Sequence, residues 1–237
     1  MKRIIYLCAS LTMLFGGMCV ASAQEQETPK AADETKKLYD GDFFLGIGGG
    51  INIYMGEQDG EMKLHHRLAP AMDVYFGKWL KPWFGLRCAY SGGQGFGVTN
   101  ADSGNIFSTG TVYEKPGTEK YRYWQKFDFF GVRFDAMFKV TDFSGKKDPF
   151  YNLCPYVGVG VHKVYNTPLE ETCIGVTAGL YNTFSLSDSF DIVLDIHETA
   201  VPENFEHETG VREGRNPNGL FSFDGIFTAS LGVAFRF

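Results

Sequence analysis

The sequence predicts an all-β fold, an eight-stranded antiparallel up-and-down β-barrel with a filled lumen. Three observations predict it. Eight segments after residue 42 alternate apolar with polar or glycine positions, the period of two that strands impose because successive side chains point to opposite faces. Aromatics are abundant, with 22 Phe, 12 Tyr and 3 Trp in 237 residues, and aromatic residues favour strands. The segments are even in number, and their connections tend to alternate between short and long. At a formal charge of −6 the chain is no nucleic-acid binder of the basic kind, which clusters Lys and Arg. Its aromatic load excludes a disordered chain.

The first element, 1–23, is an export leader. Lys2 and Arg3 precede an apolar run over 4–20, and Ala21-Ser22-Ala23 supplies small residues for cleavage before Gln24. Cys19 raises a lipidated variant, but Phe15-Gly16-Gly17-Met18 before it lacks the leucine-then-small pattern. Loss of Lys2 and Arg3 takes the charge from −6 to −8. Cys8 and Cys19 leave as well, so Cys88, Cys154 and Cys173 remain. An odd count in an exported chain argues for buried or lipid-facing free thiols rather than a disulfide framework. Residues 24–41 are polar, with scarcely an apolar side chain, and read as a flexible periplasmic tail. Past residue 20 no uncharged apolar run approaches a membrane helix in length. The barrel therefore occupies 42–237.

Within it the first strand sets Phe43, Leu45, Ile47, Ile51 and Ile53 against Gly46, Gly48, Gly50, Asn52 and Tyr54. The second sets Met72, Val74 and Phe76 against Asp73, Tyr75 and Gly77, and the third Phe84, Leu86, Cys88 and Tyr90 against Gly85, Arg87, Ala89 and Ser91. In the fourth, Phe130, Val132, Phe134, Ala136, Phe138 and Val140 oppose Gly131, Arg133, Asp135 and Lys139. Val157, Val159 and Val161 oppose Tyr156, Gly158, Gly160 and His162 in the fifth. The sixth sets Ile174, Val176, Ala178, Leu180 and Phe184 against Gly175, Thr177, Gly179 and Tyr181. The seventh pairs Phe190, Ile192, Leu194 and Ile196 with Asp191, Val193, Asp195 and His197. The eighth runs Phe227, Ala229, Leu231, Val233, Phe235 and Phe237 against Thr228, Ser230, Gly232, Ala234 and Arg236. Connections at 80–83 and 186–189 are short and 142–150 is of medium length. On the other side 56–67, 93–122 and 202–221 are long, and only 165–171 is short.

The polarity of the two faces decides the solvent. A water-soluble barrel turns its apolar face inward. Here the polar face carries Asp73, Arg87, Arg133, Asp135, Lys139, Asp191, Asp195 and Arg236 among rows of glycine, and little of the Lys, Glu, Thr and Ser that cover a solvated wall. Glycines with charges of both signs suit the interior of an eight-stranded barrel, just wide enough for its own side chains. Opposite charges pair there, as desolvation demands, so these eight residues are expected to form a structural charge network in the lumen. The apolar face is free of charge at mid-strand; Lys78, Asp128, Lys163 and Glu198 fall on it only near strand ends, within reach of head groups. One Arg or Lys at the midplane of such a wall costs about 2–4 kcal/mol. Asn182 and Pro70 are its blemishes, the proline tolerable near a rim. Aromatics gather at strand ends: Trp79, Trp83, Phe84, Phe150, Tyr151 and Phe190 on the short-turn side, and Tyr90, Tyr121, Tyr123, Trp124, Phe127 and Tyr165 on the other. Such girdles mark the two interfaces of a transmembrane barrel. The barrel is expected to cross a membrane.

From 42 to 237 the chain resembles the small outer-membrane β-barrels of the OmpA/OmpX type of Gram-negative bacteria. The resemblance rests on Pro155-Tyr156-Val157-Gly158-Val159-Gly160-Val161, the short turn Leu186-Ser187-Asp188-Ser189, and the closing Leu231-Gly232-Val233-Ala234-Phe235-Arg236-Phe237. It implies that Leu231, Val233, Phe235 and Phe237 form the C-terminal signal shown to the barrel-assembly machinery. It further implies outer-membrane lipid as the surrounding partner, a monomer, and an N-terminus in the periplasm. Nothing follows the barrel, so no peptidoglycan-binding domain is expected.

Catalytic patterns are thin. Gly46-Ile47-Gly48-Gly49-Gly50 lacks the third spaced glycine of a dinucleotide loop, there is no phosphate loop, and His197-Glu198-Thr199 and His207-Glu208-Thr209 lack the second histidine of a zinc helix. His65, His66, His162, His197 and His207 lie toward one end, but their spacing fixes no metal site, and no cofactor is expected. Some small barrels modify lipid A with a His/Ser/acid set, a role open in type to His197, Ser222 and Glu198. His197 falls on the inward parity, away from any lipid. The expected function is therefore non-enzymatic: an outer-membrane barrel serving envelope integrity, or surface interaction with a ligand or host through long extracellular loops. A narrow porin-like channel and a lipid-A-modifying enzyme are the alternatives.

Overall fold

The computed structural model describes residues 43–56, 59, 62–99, 107–114, 121–140, 150–166, 171–202, 205 and 223–237. The leader over 1–23, the tail over 24–41, Cys8, Cys19, His207 and Ser222 lie outside the described residues.

Period-two patterning becomes nine strands among these residues: β1 (Phe43–Met55), β2 (Leu68–Lys81), β3 (Phe84–Thr99), β4 (Ser108–Glu114), β5 (Tyr121–Phe138), β6 (Tyr151–Tyr165), β7 (Thr172–Ser185), β8 (Phe190–Pro202) and β9 (Phe223–Arg236). Their order is β3-β2-β1-β9-β8-β7-β6-β5, and β3 also pairs with β5, which closes a ring of eight. Every pairing is antiparallel. Closure leaves no open edge in the ring, so each ladder finds its backbone partners internally. Beyond β9 the last residue joins the seam: Phe237 N–H donates to Phe43 O, and Phe43 N–H to Phe237 O, both at 3.0 Å.

β4 is the ninth strand, and it lies outside the ring. It pairs only with the start of β5. The connection expected over 93–122 is in large part strand: pairing of β3 with β5 continues from Gly93↔Phe129 to Thr99↔Tyr123. The reason is legible in packing. Gly95 lies where a Cβ would meet the Phe127 ring at 2.3 Å, so what reads as a glycine-rich loop is a strand face cut away for an aromatic. Asp59 braces this extension from the β1–β2 connection, accepting from Gly56 N–H at 2.8 Å and Val98 N–H at 2.9 Å. A 3-10 turn, Leu64–His66, completes that connection.

The faces divide as the charge pattern requires. Phe134 is 67% exposed on the outer wall while its neighbour Arg133 is 1% exposed. Leu231, Val233, Val159 and Ile47 are likewise exposed, whereas Asp73, Arg87, Asp135 and Asp195 are buried. Asn182 stands on the wall with its amide satisfied, accepting from Tyr151 Oη at 2.8 Å and donating to Leu194 O at 3.2 Å. Pro70 sits just beyond the last β2–β3 pair, Ala71↔Gly93, where no ladder donor is needed on that side.

Glycines alternate with large side chains across the ladders. Gly46 pairs with Tyr75 and Gly77 with Phe44, and a Cβ at either would lie 2.2–2.3 Å from the partner ring. An eight-stranded lumen has no room for two large side chains side by side. Along the axis three layers result. Phe44, Tyr75, Trp79, Tyr156 and Tyr181 fill the short-turn end, and Tyr54, Phe107, Phe127, Phe129 and Phe205 the opposite end. Asp73, Arg87, Arg133, Asp135 and Asp195, all buried, lie between. Trp79 and Phe127, which sequence position alone assigns to the girdles, are thus interior plugs. The girdle rings themselves include Phe43, Phe76, Phe235 and Phe237 at one rim and Tyr90, Phe130 and Tyr165 at the other, in successive contacts of 5.6–6.0 Å.

Candidate functional site

The chemistry of the barrel is concentrated in the charge layer. β3 carries Arg87 inward because its alternation continues from Gly85 to Ser91, and β5 carries Arg133 and Asp135 on one face by the same rule. The register sets Arg87 opposite Asp135. Arg87 Nε donates to Asp135 Oδ2 at 2.8 Å, and Nη1 donates to Asp195 Oδ2 at 2.7 Å. Asp195 reaches from β8 and is further held on its other oxygen, by Tyr156 Oη–H at 2.7 Å and by His197 Nδ1 at 3.2 Å. The Arg87 guanidinium carbon lies 4.3 Å from the Tyr156 ring centre, 5.1 Å from Tyr181 and 5.3 Å from Tyr75. Two carboxylates and three aromatic faces therefore enclose one cation. Each face adds an electrostatic attraction that grows as water is removed.

Arg133 forms the second centre. Its Nε meets Asp135 Oδ2 at 3.3 Å, Nη1 donates to Ser91 Oγ, and Nη1 lies 3.9 Å from Asp73 Oδ1. Ser91 Oγ–H in turn donates to Asp73 Oδ1. Asp73, Arg87, Arg133, Asp135 and Asp195 are thus one connected group, and the structure adds Ser91, Tyr156 and His197 to it. Burial of charges is tolerable on these terms, since ions removed from water must be paired and hydrogen-bonded.

The other three residues of the expected network lie elsewhere. Arg236 Nε stands 3.0 Å from Asp191 Oδ2, at the short-turn rim, and its Nη2 donates to Ser187 O at 2.8 Å. Lys139 follows the last residue of β5, and its Nζ lies 4.4 Å from the Trp79 ring centre. It keeps the inward parity past the strand end, and its ammonium sits over a ring of the short-turn plug. On the outer face Lys78 Nζ lies over the Phe43 ring at 4.5 Å, and Asp128 accepts from Gln94 Nε2 at 2.9 Å. Both sit at rims. Leu231, Val233, Phe235 and Phe237 share the outer wall of the seam and are 41–63% exposed.

The four described histidines separate into two pairs. His162 and His197 are buried in the lumen. His65 and His66 touch in the 3-10 turn, 4.1 Å between ring centres. Burial first, then His65 and Lys63, lower the His66 pKa below the ordinary histidine value. Among the described residues no three His, Cys, Asp or Glu are grouped as a metal site would need. His197 is 3% exposed and faces Asp195, so a lipid outside the wall does not reach it. Cys154 and Cys173 are buried, and Cys88 is half-buried on the outer face.

An apolar exterior, paired internal charges and a ring of eight strands together define the fold of the small outer-membrane barrels. Particular proteins share it. Neisserial surface protein A superposes with a TM-score of 0.51 at 9% identity, over 82% of this chain and 97% of that one. The outer membrane protein OprG from Pseudomonas aeruginosa gives 0.48 at 7% identity, over 83% and 96%. Ail, the attachment invasion locus protein of Yersinia pestis, gives 0.44 at 11% identity, over 83% and 99%. No protein-family model matches the sequence, and no curated relative does.

Proposed function

We propose that the chain is an integral protein of the outer membrane, non-enzymatic and non-conducting, which contributes to envelope integrity and meets external partners through the end that carries the β3–β4–β5 extension. One observation carries the reading: the lumen is filled from end to end, with aromatic clusters on both sides of a paired charge layer. A filled interior offers neither a water path nor a substrate pocket. What remains for function is the lipid-facing wall and the loop end. An even-stranded closed ring puts the start of β1 and the end of β9 on the short-turn side, which in this reading is the periplasm. The opposite end holds the longer connections and exposes Leu64 and Val112 to the outside.

Four experiments test it. The purified protein in detergent is expected to show heat-modifiable gel mobility and β-rich circular dichroism; a monomer soluble without detergent overturns the reading. Reconstitution into planar bilayers is expected to give no discrete conductance steps, and reproducible steps would establish a channel instead. Lipid A from cells with and without the gene is expected to have the same mass spectrum. Deletion is then expected to appear as detergent sensitivity or as lost surface binding.

A further inference from the structure

The outer wall carries two furrows. One, of about 730 Å³, runs across the strands from β2 to β7. The other, of about 510 Å³, lies at the β1–β9 seam beside β8. The first follows two neighbouring rungs of the ring. Along one, register joins Phe76, Cys88, Phe134 and Val159; along the next it joins Lys78, Leu86, Ala136 and Val157. The small side chains of Cys88 and Ala136 let the wall sink toward its backbone, while the exposed rings of Phe76 and Phe134 stand up on either side of Cys88.

Two features select an occupant. The first is charge. Among these side chains only Lys78 is charged, and among the described residues it makes no ion pair. Its Nζ rests over the Phe43 ring at 4.5 Å. A ring face attracts a cation without neutralising it, so the charge and its N–H donors stay available to an anion. The seam furrow has no charged residue in its lining. The second feature is direction. Barrel strands are tilted, so a rung climbs as it crosses them. Lys78 stands near the short-turn end of β2 and Val159 in the middle of β6, and the furrow therefore rises from the rim into the mid-wall. A molecule anionic at one end and apolar along its length matches both features, and a bilayer supplies it.

We propose that this furrow is a binding site for one anionic glycerophospholipid of the leaflet on the short-turn side. Its phosphate meets Lys78 and an acyl chain lies over Cys88 and Ala136. The inference rests on the membrane-spanning reading given above and adds to it a lipid class and a place.

The test uses the protein in nanodiscs of phosphatidylglycerol and phosphatidylethanolamine in equal amounts, read by native mass spectrometry. One phosphatidylglycerol is expected to stay on the released protein in preference to phosphatidylethanolamine; equal retention of the two overturns the inference. Lys78→Gln is expected to lower that preference about fivefold, which corresponds to the roughly 1 kcal/mol of one lysine at an anionic surface. Ala136→Phe fills the furrow from the lipid side and keeps Lys78, and it is expected to abolish retention. No change in either variant overturns the inference. A phosphatidylglycerol with a photoreactive diazirine on its acyl chain locates the site in the unaltered protein: labelling of β3 and β5 over β1 and β9 is expected, and even labelling overturns it. A protein that enters nanodiscs with heat-modifiable mobility, yet prefers neither lipid, fails this inference alone. One that stays soluble without detergent fails the membrane reading and this inference with it.

Discussion

Arg87 and Arg236 both lie on the inward parity and both meet aspartate, yet they belong to different regimes. Arg87 is fully buried, hydrogen-bonded to two carboxylates and enclosed by three tyrosines. Arg236 keeps 31% of its side chain exposed and touches Asp191 at 3.0 Å, though its Nε makes no aligned hydrogen bond. The pairing is the same and the surroundings are not. At the centre, losing the cation strands carboxylates in a medium that cannot solvate them; at the rim, water replaces it.

Four substitutions sharpen or break that contrast, each measured by denaturant unfolding of the protein folded into lipid vesicles. Arg87→Leu leaves Asp135 and Asp195 without their main counter-charge and is expected to cost about 3–5 kcal/mol. A loss below that of the rim variant would void the distinction. Phe134→Arg moves a charge to the opposite face, one residue from Arg133, and is expected to cost about 2–4 kcal/mol in a bilayer. In a soluble protein the same change would be harmless. Gly160→Val tests the room made for Arg133: the added Cβ would lie 2.5 Å from Val132 O and 2.7 Å from the Arg133 Cβ. Overpacking of this kind is expected to cost about 1–3 kcal/mol. Arg236→Ala, at a partly solvated pair, is expected to fall within about 0–1 kcal/mol. Its Ser187 contact gives only local support to the β8 turn.

Much of this was legible in the sequence because a barrel strand writes both of its solvents into alternate letters. The eight ring strands and the inward parity of Arg87, Arg133, Asp135 and Asp195 follow from that period alone. Partners within the lumen do not. Tyr156 and His197 carry the inward parity, but nothing in spacing says that they converge on Asp195, since that depends on register across β6, β7 and β8. Lys139 keeps its parity but, one residue past β5, lies over the Trp79 ring at the short-turn end. The β3–β5 extension was hidden because Gly93, Gly95 and Gly97 read as turn residues until Phe127 and Asp59 are seen beside them. Parity tells which way a side chain points and is silent on where the strand stops.

The seam between β1 and β9 carries a consequence for how the molecule is made. Phe43 finds its hydrogen-bond partner in Phe237, at the far terminus, and the ladder between them joins residues nearly the whole barrel apart in sequence. Contacts of such separation form late, since a long stretch of chain must be brought back before they stabilise anything. While β9 is missing, β1 has no partner on that edge and the sheet stays open; the cylinder shuts only when the last strand arrives.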